Sequence, residues 1–222
     1  MNTKSNIATN PRRTASKEVR RRQLIMATIK SIAKHGFSGT TMTTVTNGAN
    51  LSLGIVNFHF QSKERLFVET LVFLAEEHRA QWIKSLRDSD LTPQAKLISL
   101  VDAHFHPRIC NRQKLAVWFA FFGEAKYRAS YREKIAEIDS ERISETERLC
   151  RSIKQDGAYS DVDPMVVTKN LEALYDGLWL NILLYPKMFS RTDAKIQIRD
   201  YLSSTFPKHF SARKDPVESQ PA

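Results

Sequence analysis

Apolar positions recur along this chain at intervals of three and four residues, the period of one face of a helix. Leu24, Thr28 and Ile32 form one such row and Ile25, Ile29 and Ala33 the next, predicting a first helix over 17–35. Gly36 predicts its left-handed stop, with Phe37 packing back on it. Two short elements come next. The first runs from about Thr41 to Gly48 with Met42 and Val45 inward, and the second runs from a cap at Ser52 through Leu53 to Phe58. Asn50 between them suits a left-handed turn. Two short helices in a tight turn after a longer one outline a three-helix DNA-binding head.

The same period continues to the end. Ser62 opens a long helix with Leu66, Phe67, Leu71, Leu74, His78, Trp82 and Leu86 along one side. Thr92-Pro93 starts another, which His106-Pro107 breaks. Lys114 to Phe122 is short and aromatic, and Tyr131 to Gln155 is long and charged, ending at Gly157. Asp163-Pro164 starts the most apolar helix, 164–184, and Thr192-Asp193 a last one to about Thr205. No period-2 run and no internal repeat appears, so the predicted class is all-α, with about nine helices.

Charge divides the chain. Up to residue 66 there are 11 basic residues and two acidic ones, Glu18 and Glu64; the rest holds 23 basic and 22 acidic. Almost the whole formal charge of +10 therefore belongs to the front. A basic head on a near-neutral body reads as a nucleic-acid module joined to a second domain of another purpose. The reading divides the 222 residues into a disordered basic arm (1–16), a helix-turn-helix domain (17–61), a ligand-binding and dimerisation domain (62–210) and a disordered tail (211–222). Two cysteines suit a reducing cytoplasm, no apolar run reaches membrane length, and the first residues lack a secretory h-region.

The stretch TTMTTVTNGANLSLGIVNFHFQSKERLF resembles the helix-turn-helix signature of TetR-type transcriptional repressors through Ala49, Ser52, Gly54, Val56, His59-Phe60, Lys63-Glu64 and Leu66. The resemblance implies that Ser52 caps a recognition helix whose N-terminal amides lie near phosphate. It implies that His59 and Lys63 contact phosphate, and that Leu53, Gly54, Asn57 and Phe58 face the major groove. It also implies that Thr43 and Thr44 on the preceding helix stand near the DNA backbone. Asn57 replaces a frequent tyrosine and suits bidentate reading of adenine. Asn50 replaces a usual glycine, and Gly48 slightly weakens the second helix. Arg12, Arg13 and Arg20 to Arg22 are candidates for phosphate or minor-groove contacts, against the alternative of a solvated arm.

A narrower resemblance concerns the second domain. Glu172 to Leu180 (EALYDGLWL) and Ala116 to Phe122 (AVWFAFF), with Lys114 nearby, are similar to elements of the choline-responsive BetI-type repressors. Trp118 and Phe122 share a helix face, as do Asp176 and Trp179, with Tyr175 beside them. Aromatic faces with a carboxylate are what a quaternary ammonium needs, since it donates no hydrogen bond. The alternative is that the rings fill a core or a dimer interface and that Asp176 pairs with an arginine. Helices 164–184 and 192–205 are the expected dimer surface, and a two-fold dimer implies a pseudo-palindromic operator.

Enzyme signatures are absent: no phosphate-cradling glycine loop, nucleophile elbow or H-E-x-x-H occurs. His104, His106 and Cys110 do not share a helix face, so no metal and no cofactor is called for. The expected protein is thus a cytoplasmic homodimeric repressor, not an enzyme. It binds double-stranded operator DNA and is released by a small effector, with choline or a related cation implied. The alternatives are an efflux or catabolic regulator with another effector, a non-specific architectural DNA-binding protein, and a helical enzyme.

Overall fold

Side-chain caps set most of the helix starts in the computed structural model, which describes residues 11–87, 90–124 and 128–211. Nine helices and no strand occur among them: α1 (Pro11–Gly39), α2 (Met42–Ala49), α3 (Leu53–Phe60), α4 (Lys63–Leu86), α5 (Pro93–His104), α6 (Arg112–Gly123), α7 (Arg128–Gly157), α8 (Pro164–Leu184) and α9 (Arg191–Thr205). Ser62, Thr92, Asn111 and Asp163 each accept a hydrogen bond from a backbone N–H in the first turn that would otherwise lack a partner. Thr41 and Thr44 close a reciprocal capping box on α2, and Ser190 and Asp193 close one on α9.

Several boundaries differ from the sequence expectation. The first helix begins at Pro11, a residue suited to a helical first turn, rather than at residue 17; residues 1–10 of the expected arm and 212–222 of the expected tail lie outside the described residues. Gly36 does take a positive φ of 71°, but with ψ at 179° the chain leaves the helix extended and then makes one more turn. Phe37 packs against the core cluster that α1 shares. Its ring meets Phe67 of α4 at 4.6 Å and Phe121 of α6 at 5.0 Å, both edge to face. The last helix is capped by Ser190, two residues before the expected Thr192, because Asp193 serves the box from inside the helix.

One contiguous core runs the length of the molecule. Leu24, Ile25 and Ile29 of α1 meet Val45, Val56 and Phe60, and the first turns of α4 join that cluster through Leu66 and Phe67. Beyond it, α4, α5, α7 and α8 pack together, α6 lies across α1 and α8, and α9 closes the end on α8 and α5. No helix among the described residues is long and apolar enough to cross a membrane.

The turn after α7 assigns different tasks to two neighbours. Ala158, not Gly157, is the left-handed residue, with φ at 49°. Gly157 is needed for space: a Cβ there would lie 2.2 Å from Tyr159 Cε2 and 2.8 Å from His209 Cε1. Adjacent substitutions should therefore act oppositely. Ala158→Gly is expected to stabilise by about 1 kcal/mol, and Gly157→Ala to destabilise by about 1–3 kcal/mol. Urea denaturation of both variants checks this; like-signed effects would reject the assignment.

Candidate functional site

Two regions carry the candidate residues. In the first, Asn50 adopts the left-handed conformation (φ 53°, ψ 46°), and the Leu51 N–H bonds to the Thr46 carbonyl at 3.0 Å. That turn sets α3 across α2. Val56 and Phe60 are buried beneath α3, while Leu53, Gly54, Asn57 and Phe58 are exposed along its outer face. Leu53 is 49% exposed and Phe58 70%, unusual for large apolar side chains on so short a helix. A Cβ on Gly54 would meet only Ser52 Oγ, at 3.9 Å, so nothing inside the protein demands a glycine there.

Other expected contacts rearrange. Ser52 occupies the N-cap position of α3, but its side chain makes no capping hydrogen bond. Thr43 is exposed, whereas the Thr44 hydroxyl is engaged: it accepts from Thr41 N and donates to Thr41 O, both at 2.9 Å. Half-buried His59 has an Nδ1 without a partner; burial, and then Lys17, lower its pKa and favour the neutral ring. Lys63 Nζ lies 5.1 Å above the Phe67 ring, and Lys17 Nζ lies 5.6 Å above Phe58. Among the arm arginines, Arg20 is exposed, but Arg21 donates to Glu69 at 2.5 Å and ties α1 to α4, and Arg22 lies over Phe73. The side chains of Arg12 and Arg13 lie outside the described residues.

The second region is a cavity of about 230 Å³ among α4–α8. Trp118, Phe122, Tyr175, Asp176 and Trp179, drawn from two helices far apart in sequence, all line it. Trp118 stands 6.2 Å from both Phe122 and Trp179. His104 stacks on Tyr175 at 4.0 Å and lies tilted against Trp179 at 4.6 Å, and His78 meets His104 edge on at 4.6 Å. Half-buried Arg142 enters from α7: Nε donates to Glu172 Oε1 at 3.2 Å, Nη1 to Asp139 Oδ1 at 2.9 Å, and Nη2 to the second Glu172 oxygen. Its pKa is raised because those carboxylates outweigh its burial. The expected arginine partner of Asp176 is thus taken by Glu172 and Asp139. No basic side chain among the described residues pairs with Asp176, whose carboxyl is raised by burial and by Glu172.

Sequence reasoning missed His78, His104, Arg142, Glu172 and Asp139 as cavity residues. Only His78, the one polar ring in the apolar row of α4, carried a signal. His104 turns into the aromatic stack, and no group of three metal-ligating side chains occurs among the described residues. Burial pushes the Cys110 and Cys150 thiols up to about 12, so neither is a ready thiolate.

Both histidines are held neutral. Burial, and then Arg142, push His78 down to about 3; burial, His78 and Arg142 push His104 well below its ordinary value. Below about pH 6.5 the unfolded chain takes up protons that the folded one refuses. Their contribution to stability is therefore present above that pH and lost as pH falls, by about 2 kcal/mol for His78 at pH 5. Asp139, Asp176 and Glu172 also face the cavity, and the raised Asp139 and Asp176 act in the opposite sense, so the test is a difference. Between pH 7 and 5 the melting temperature of His78→Gln should fall less than that of the unaltered protein, by roughly 4–8 °C. Parallel profiles would refute it.

Similarity to known proteins follows this division. Residues 24–70 match the family described as bacterial regulatory proteins, tetR family, and residues 93–207 match BetI-type transcriptional repressor, C-terminal. The chain is 29% identical over 186 residues to an HTH-type transcriptional regulator BetI of Burkholderia thailandensis, covering 84% of this chain and 93% of that protein. It is 28% identical to that of Paraburkholderia xenovorans, with the same coverage. A transcriptional regulator from Pseudomonas aeruginosa superposes with a TM-score of 0.74 at 23% identity, over 86% of this chain and 93% of the other. Another, from Saccharomonospora viridis in complex with choline, gives 0.73 at 18% identity, over 84% and 96%.

Proposed function

This chain belongs to the TetR family of transcriptional regulators, with a C-terminal domain of the BetI repressor type, and from that premise we propose a dimeric repressor released from a pseudo-palindromic operator by choline or a closely related cation. One observation carries the effector. Aromatic rings from α6 and α8 converge on a cavity where three carboxyl groups, Asp139, Glu172 and Asp176, face a single guanidinium. Carboxyl groups thus outnumber cationic groups beside the ring faces, which suits a cation that cannot donate hydrogen bonds. His78 Nε2 and Trp179 Nε1 are buried without partners, which favours a ligand that also carries a hydroxyl group over a bare tetraalkylammonium.

Two copies pair through α8 and α9. Leu178 and Ile182 face the core, while Leu180, Leu184 and Tyr185 stay exposed and Met188 is 85% exposed, leaving an apolar strip for a second subunit. The two copies of α3 then enter successive major grooves one helical turn apart. Helix α6 links cavity and head: Trp118 and Phe122 face the ligand space, while Phe121 meets Phe37 of α1 and Phe67 of α4. Ligand that prefers one position of α6 shifts the population away from the DNA-competent spacing.

The test is fluorescence anisotropy on the DNA upstream of the protein's own gene against scrambled DNA, near physiological salt, with choline titrated in. Specific binding released by choline is expected. Specific binding indifferent to choline would remove the effector and keep the repressor; equal binding to both DNAs would count against an operator there. Within the same assay, Asn57→Ala should lower the ratio of specific to random affinity about tenfold, whereas Lys63→Ala should weaken both alike. Equal loss of specificity from both variants would reject the assigned roles.

A further inference from the structure

The outer face of α3 lacks the chemistry that reads G·C pairs. At about 100° per residue, Leu53, Asn57, Gly54 and Phe58 fall on one arc of about 140°. All four are exposed, while Val56 and Phe60, which flank the arc on the Leu53 side, are buried. The helix LGIVNFHF contains no arginine, lysine, aspartate or glutamate. Guanine is read in the major groove chiefly by a bidentate Arg or Lys on O6 and N7, and cytosine by a carboxylate accepting from N4. His59, the remaining polar ring of α3, is half-buried off the exposed arc, with its Nδ1 shielded from solvent.

What the arc does offer is one amide and two apolar side chains. Asn57 matches the N6 donor and N7 acceptor of adenine. Phe58 and Leu53 can recognise only one feature of the groove floor, the C5-methyl of thymine. Phe58 is 70% exposed even with Lys17 above its ring, and Leu53 is 49% exposed. The bases that suit them are the two members of an A·T pair. Resting on the reading of this chain as an operator-binding repressor, we infer that each half-site places A·T pairs beneath α3, with adenine under Asn57 and thymine methyls under Phe58 and Leu53. The neighbouring cations Lys17, Arg20 and Lys63 supply charge to phosphates, which carries no base preference.

The experiment selects the preferred site of the full-length protein from random DNA, then replaces each thymine, one at a time, with deoxyuracil. That exchange deletes a single methyl and keeps every hydrogen-bonding group. Loss of about fourfold in affinity at one or two thymines per half-site is expected, the weight of one buried methyl group. The sensitivity at one thymine should vanish in Phe58→Ala and that at another in Leu53→Ala. Both side chains are exposed, so neither variant threatens the fold. A selected site whose affinity is indifferent to every deoxyuracil exchange, or whose central half-site positions are G·C, overturns the inference and leaves the repressor reading intact. Failure to enrich any sequence overturns both.

Discussion

Trp179→Ala is expected to shift the proposed response to choline to at least roughly tenfold higher concentration while leaving operator affinity in its absence within about a factor of two. The indole sits 4.6 Å from His104 and 6.2 Å from Trp118 and lines the cavity between them. Losing it removes a cation–π face of about 1–2 kcal/mol and opens the wall to water, so choline affinity should fall by at least roughly tenfold. The same ring is buried, so truncation also costs about 3 kcal/mol of stability. Trp179→Phe separates the two effects: it keeps packing and a weaker ring face, and should give an intermediate choline response at near-normal stability. Calorimetric titration of choline into both variants, with anisotropy on the operator, decides it. An unchanged response in the alanine variant removes Trp179 from the effector site.

Arg142→Ala should cost as much stability, through charge rather than packing. The guanidinium is the cation shared by Glu172 and Asp139, with its side chain only 13% exposed. Removing it strands two partly buried carboxylates, which costs about 3 kcal/mol, or roughly 6–12 °C in melting temperature for a chain of this size. The paired variant Arg142→Ala/Glu172→Gln should recover much of that loss, because deleting both members leaves less charge unpaired. Choline should bind Arg142→Ala roughly tenfold more tightly, since the cavity loses its own competing cation. A variant both stable and unaltered in choline affinity would show that the cluster governs neither property.

Most of the fold was legible in the sequence because helix starts are written locally. Ser62, Thr92-Pro93 and Asp163-Pro164 each cap as their spacing predicts. Where the cap depends on a residue further inside the helix, as with Ser190 and Asp193, the start was misplaced by two positions. Ser52 has the right residue type and backbone for a cap, yet its hydroxyl makes no capping bond, a matter of rotamer that sequence does not encode. The aromatic half of the cavity was legible for a similar reason: Trp118 with Phe122, and Tyr175 and Asp176 with Trp179, are each local on one helix. Its polar half was not. Arg142 lies in the run ERISETER, which reads as a solvated face, and only tertiary packing brings it against Glu172, 30 residues away.

Lys114 fixes one end of α6. Its ammonium group is held by Glu77 of α4 and by the Arg108 carbonyl in the preceding loop. Phe121 and Phe122 lie seven and eight residues further on, about 10–12 Å along the axis at 1.5 Å per residue. A rod clamped at one end moves most at the other. A tilt of roughly five degrees, too small to disturb the clamp, carries those rings through about 1 Å, which is the size of shift that repacks an aromatic contact. Geometry thus gives α6 a mechanical advantage: on the proposed reading, a ligand that displaced Phe122 would also displace Phe121, and with it the ring contacts that Phe121 makes with Phe37 of α1 and Phe67 of α4.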